Sequence, residues 1–116
     1  MEVTAKLRYY QASPQKVRLV VDQIRGKNVQ EAANALALSN KGAARAVAKL
    51  LKSAVANAEN RDEAVDIDRL YVKEAFVDGG PVLKRIRPAP MGRAFRVLKR
   101  QSHITIKLDT RKVEQE

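Results

Sequence analysis

Residues 79–108 read GGPVLKRIRPAPMGRAFRVLKRQSHITIKL. This stretch carries eight Lys and Arg and no acidic residue between Asp78 and Asp109. At its end, Ile104, Ile106 and Leu108 alternate with Thr105 and Lys107, the period of a half-buried strand. Gly79-Gly80-Pro81 marks a turn or kink, and Pro88, Pro90 and Gly92 mark an irregular segment. Upstream, Leu70, Val72 and Phe76, with Tyr71, Lys73 and Ala75 between them, read as strand over 67–77. Pairing 67–80 antiparallel with 95–108 gives a ribbon about 46 Å long at ~3.3 Å per residue. The rest of the chain, about 80 residues, should be about 30 Å across. The far end of the ribbon is therefore expected to project. Toward that end the apolar face is lost, because Lys84-Arg85-Ile86-Arg87 and Arg96-Val97-Leu98-Lys99-Arg100 bring charge to both faces. A two-stranded ribbon with no buried face is marginally stable alone, so the tip should gain its order from an anionic partner.

The remaining sequence supplies the body. Val3, Ala5 and Leu7 alternate with Thr4, Lys6 and Arg8 as a strand. Ser13-Pro14 then suits a helix start, and Val17, Val20, Val21 and Ile24 recur at helical spacing up to Gly26, predicting a helix over 14–25. Asn28 and Glu31 stand as in a capping box before a short helix with Val29, Ala32, Ala33 and Leu36 as its stripe. Ser39-Asn40 is placed to cap a third helix, about 41–59, with Ala44, Val47, Leu50, Leu51, Ala54 and Ala58 inward. The fold class is therefore α+β: three helices packed on a small antiparallel sheet with a long protruding β-hairpin. At 116 residues the chain is expected to be one domain, 1–116.

Charge narrows the function. Lys and Arg number 23 against 13 Asp and Glu, a net +10. Residues 1–78 hold thirteen basic and ten acidic residues, so the surplus lies in 79–108. Such self-repulsion points to a polyanionic partner. Lys84, Arg85, Arg87, Arg93, Arg96, Lys99 and Arg100 are the candidate phosphate contacts, with Lys16, Arg18, Arg25 and His103 extending the surface. Cys is absent, which removes disulfides and thiolate metal sites. There is no apolar run of 18 residues and no secretory pattern at Met1-Glu2-Val3-Thr4. No metal site, cofactor or catalytic residue is expected, since no Walker-type loop, dinucleotide fingerprint or zincin motif occurs. Two alternatives stay open on these residues alone: a ribbon that enters a DNA groove, and a small hydrolase using Asp66, Asp68 and His103. Asp66 and Asp68 would share one strand face.

Several motifs then converge. Ser13-Pro14-Gln15-Lys16-Val17-Arg18-Leu19-Val20, Ile24-Arg25-Gly26-Lys27 and Ser53-Ala54-Val55-Ala56-Asn57-Ala58-Glu59 stand in order with Gly80-Pro81 and Lys84-Arg85. Gly92-Arg93-Ala94 and Lys99-Arg100-Gln101-Ser102-His103-Ile104-Thr105 follow. The chain resembles the bacterial-type large-subunit ribosomal protein twenty-two family from about Ala5 to Leu108. That resemblance implies a structural constituent of the large subunit in the cytoplasm, not an enzyme. It implies a body near the nascent-chain exit and a hairpin, residues 79–103, that reaches inward through several domains of large-subunit rRNA and aids assembly. The tip, about 86–94, would help line the peptide exit tunnel, with Ala89, Pro90, Met91 and Gly92 as tunnel-lining residues. Arg93, Lys84 and Arg85 would be the leading RNA contacts. The implied partners are rRNA, neighbouring large-subunit proteins and the nascent peptide, with no membrane, and the protein would be monomeric outside the ribosome. Members of the family often carry Pro-Arg-Ala before the tip glycine, where this chain reads Pro88-Ala89-Pro90-Met91.

Overall fold

Strand β5, Ser102–Thr110, is the centre of the molecule, flanked antiparallel by β1, Glu2–Tyr10, and β2, Leu70–Gly79. A second sheet pairs β3, Leu83–Pro88, with β4, Ala94–Lys99. The helices are α1, Pro14–Val21, α2, Val29–Leu38, and α3, Ala43–Arg61. The computed structural model describes residues 2–88 and 94–110, with backbone alone for 83–88 and 94–98.

The expected α+β class holds, and its core follows from the patterns. Ile104, Ile106 and Leu108 are fully buried, each burial contributing about 1.5–3 kcal/mol. They meet Val3 and Ala5 of β1, Leu70 and Val72 of β2, and the whole expected α3 stripe. The Asn28 side chain caps α2 by accepting from the Gln30 N–H at 3.0 Å.

Several details differ from the sequence reading. First, α1 ends at Val21, not 25, because Gln23 and Ile24 donate to Val20 and Val21 in tighter three-residue turns. Gly26 then takes φ +79° and donates to the Val72 carbonyl, tying the chain to β2. Second, α3 spans 43–61 with Gly42 as its N-cap; the Ser39 hydroxyl accepts from the Lys41 N–H before the helix begins. Third, 67–69 is a 3-10 turn, so Asp66 and Asp68 share no strand face. The Asp66 carboxylate instead accepts from the Asp68 N–H at 3.0 Å. Fourth, β2 carries a bulge between Val72 and Glu74, which inverts the alternation. Ala75 and Val77 are buried beside Ile106 and Ile104, while Phe76 is turned out. Ala33, expected inward, is exposed as well.

The extended pairing also runs in a different register, Gly79 opposite Ser102 and Leu83 opposite Lys99. The ribbon is interrupted between the two sheets. There the Gly80 N–H donates to the Gln101 carbonyl at 2.8 Å, and a Cβ at Gly80 would lie 3.2 Å from the Gln101 backbone. Only glycine lets the strands approach this closely without a shift. The molecule is elongated, 72 × 26 × 19 Å, with a radius of gyration of 17.8 Å. A compact chain of this length would have about 13 Å.

Candidate nucleic-acid interface

The acid-free sequence becomes the β3–β4 ribbon. Its pairing sets Lys84 opposite Leu98, Arg85 opposite Val97, Ile86 opposite Arg96 and Arg87 opposite Phe95. Because neighbouring positions alternate between faces, positions 84 and 96 fall on one side and 85, 87 and 99 on the other. Cationic positions thus occur on both sides of the ribbon. Lys99 and Arg100 are exposed at its base. Arg93 and the expected tunnel-lining residues Ala89, Pro90, Met91 and Gly92 lie outside the described residues.

The body residues divide differently. Lys16 is exposed on α1. Arg18 donates from Nε and Nη2 to the Val77 carbonyl at 3.3 and 3.0 Å. Arg25 donates from the same two atoms to the Ala75 carbonyl at 3.1 and 2.7 Å, and its Nη1 lies 2.9 Å from Asp22. Both guanidinium forks therefore close the outer edge of β2, which would otherwise present bare carbonyls to solvent. At the opposite sheet edge, Asn57 of α3 donates to the Thr4 carbonyl at 3.4 Å and Arg61 to that of Glu2. The helices thus cover one sheet face and brace both sheet edges.

The other face of the three-stranded sheet is open, and its two ends differ. At the end away from the ribbon, Lys73 Nζ sits 2.9 Å from Glu2 and 3.7 Å from Asp109. Lys107 reaches Glu74 at 3.5 Å and Glu2 at 3.9 Å. The hydrogen bond from Lys73, then its charge, lowers the Glu2 pKa, and the same bond raises that of Lys73. Burial raises the Asp109 pKa, but the Thr110 N–H and nearby cations including Lys73 outweigh it and leave it lowered.

At the ribbon end, Lys6 and Arg8 are exposed and have no acidic partner among the described residues. Here β1 carries its own bulge, between Leu7 and Tyr10. Tyr9 adopts φ +60°, a left-handed conformation costly for a bulky residue, of order 1–3 kcal/mol. Its N–H donates to His103 Nδ1 at 3.1 Å, so the neutral imidazole carries its proton on Nε2. The two rings meet edge to face, 4.9 Å apart and at 87°. The Tyr9 side is nevertheless 59% exposed. Two residues along β5, Thr105 lies between Lys6 and Phe76 in the register and is only 4% exposed. The alternation of Lys6 and Arg8 against the buried strand face signalled this surface in the sequence. The Tyr9 bulge and the outward Phe76 had no such signal.

Among the described residues no group of three or more His, Asp or Glu is placed to hold a metal ion, and no helix is long and apolar enough to cross a membrane. An open groove of about 460 Å³ between α2 and α3 is lined chiefly by aliphatic side chains such as Ala33, Ala48, Leu51 and Val55. Gln30, Lys52 and Glu59 also line it.

Comparison with known sequences places these features. The sequence model of the family Ribosomal protein L22p/L17e matches residues 5–109. The chain is 55% identical over 108 residues to Large ribosomal subunit protein uL22 of Solibacter usitatus, covering 93% of this chain and 96% of that one. It is 56% identical over 110 residues to the protein of the same name from Caldicellulosiruptor saccharolyticus, covering 95% and 89%. It is also 56% identical over 108 residues to that of Geobacter sulfurreducens, covering 93% and 96%. The chain belongs to the Ribosomal protein L22p/L17e family, and it is a structural, non-enzymatic constituent of the large ribosomal subunit in the cytoplasm.

Proposed function

We propose that this chain folds as one domain, 1–116, that binds several domains of large-subunit rRNA and threads a basic arm, residues 79–103, between them. The body anchors beside neighbouring ribosomal proteins and the arm carries Lys84, Arg85, Arg87, Arg93, Arg96, Lys99 and Arg100 into packed phosphates. Lys16 and His103 extend the contact onto the body, and Arg18 and Arg25 add the donors left over from their bonds to β2. The tip, about 86–94, lines the nascent-peptide exit tunnel through Ala89, Pro90, Met91 and Gly92, and the arm aids subunit assembly. Outside the ribosome the protein is a monomer.

One observation carries this reading: the β3–β4 ribbon stands as a sheet of its own and has cationic positions on both sides. A protein that merely presented a solvated charged face would need cations on one side only. Shape rather than base sequence dominates such recognition, because the arm has few rings to stack on bases, Phe95 and His103. Binding of the full chain to protein-free large-subunit rRNA should show a log–log salt slope of about −4 to −7, matching ~6–8 neutralised phosphates. Deleting residues 82–96 should flatten that slope by about half and remove the arm's crosslinks to RNA. An unchanged slope with unchanged crosslinks would overturn the proposal, as would a clear preference for duplex DNA at matched salt.

A further inference from the structure

The open sheet face beside the ribbon has features that stability does not explain. Tyr9 holds a left-handed backbone that glycine would adopt without strain, and the residue remains more than half exposed. Burial therefore returns little for the conformation. The bulge does one specific thing, which is to hold the Tyr9 and His103 rings perpendicular to each other, 4.9 Å apart, at the root of the arm. The Tyr9 N–H fixes the imidazole through Nδ1, so the aromatic pair is set before any ligand arrives. Two rows of residues therefore combine rings and cations: Arg8 and Tyr9 beside His103, then Lys6 and Phe76 either side of Thr105.

Charge selects the occupant. On this face the acids Glu2, Glu74 and Asp109 are gathered at the far end and tied to Lys73 and Lys107. Among the described residues the ribbon end has one carboxylate, Asp78 across from His103, against Lys6 and Arg8, with exposed Lys99 and Arg100 adjoining. An exposed aromatic residue framed by cations with no acidic partner among the described residues suits a nucleobase on its π-face and phosphates at its flanks. A partner protein would have to bring acidic groups to the same place and would gain little from a single rigid ring.

We propose that Tyr9, held perpendicular to His103 by the β1 bulge, is a stacking platform for one unpaired base of the large-subunit rRNA, with Lys6 and Arg8 on the flanking phosphates. This rests on the reading of the chain as an rRNA-binding protein. It adds a base-contacting site on the body to an arm that acts through phosphates.

The test uses the full chain and protein-free large-subunit rRNA, with Tyr9→Gly, Tyr9→Phe and Tyr9→Trp variants. Tyr9→Gly removes the ring and relieves the backbone. Its unfolding midpoint should be equal to or above that of the parent, while rRNA affinity falls about 5- to 150-fold, the span of one lost base stack. The salt slope should not change, since no charge is lost. Tyr9→Phe should bind within about twofold of the parent. The natural chain has no Trp, so the fluorescence of Tyr9→Trp reports on this position alone and should be quenched by added rRNA. That signal decides the matter should Tyr9→Gly prove less stable. Undiminished affinity in Tyr9→Gly, equal losses in Tyr9→Phe and Tyr9→Gly, or an unquenched Trp would each overturn the platform. A parent chain without salt-dependent rRNA binding would overturn the rRNA reading itself, a different result from an intact parent with an indifferent Tyr9.

Discussion

Arg18 and Arg25 show how a side chain can hold a structural partner that the sequence does not name. Both are basic and surface-facing, so the sequence ranks them with the RNA contacts. Each also spends two donors of its fork on a β2 carbonyl 50 or more positions away in the chain. No local pattern encodes a partner at that distance. These bonds make a direct prediction. Arg25→Lys keeps the charge but cannot fork, and it should cost about 1 kcal/mol in chemical denaturation, below the usual range for hydrogen bonds to charged groups because the side chain is half exposed. A loss of RNA affinity with no loss of stability would instead mark Arg25 as an RNA contact alone. Asp66 and Asp68 teach the same lesson in the other direction. Their spacing suggested paired carboxylates on a strand, but the pair closes a turn by an Asp66 side-chain bond to the Asp68 N–H.

At the scale of elements, the helices and β5 were legible because one period ran through each of them. The α3 stripe and the Ile104, Ile106, Leu108 alternation are both found buried as read. The bulges in β1 and β2 were not legible. A single extra residue reverses the faces of a strand, and the composition around Lys73-Glu74 or Arg8-Tyr9 gives no sign of it. These two bulges also create the open face, by turning out Phe76 and setting Tyr9 against His103. The far end of that face makes a pH prediction. Glu2 and Asp109 are lowered in the folded chain, so their contribution is whole above the ordinary carboxylate range and is lost as pH falls through their folded values. Lys73 is raised, so its contribution is whole below the ordinary lysine range and is lost only as pH climbs through its folded value. Glu2→Gln should therefore be less stable than the parent at pH 7 by a small, salt-sensitive margin. The two thermal midpoints should converge as pH falls below about 4. A margin that persists in acid would place the effect of Glu2 outside these ion pairs.

For the whole molecule, the charge asymmetry and the length comparison together announced an elongated protein, and its 72 Å long axis agrees. What they could not supply was the break at Gly80 and Gln101, where the ribbon leaves the body as a separate sheet. That break divides the molecule into a body with a buried core and a two-stranded extension whose own pairing is marginal in water. The central claim is that RNA completes this extension. Amide exchange of the full chain, free and bound to protein-free large-subunit rRNA, tests it most directly. Weak protection of 83–88 and 94–99 is expected in the free protein, strong protection of both on binding, and little change at Ile104, Ile106 and Leu108. Ribbon amides already as protected as the α3 helix in the free chain, or unaltered when RNA binds, would contradict it.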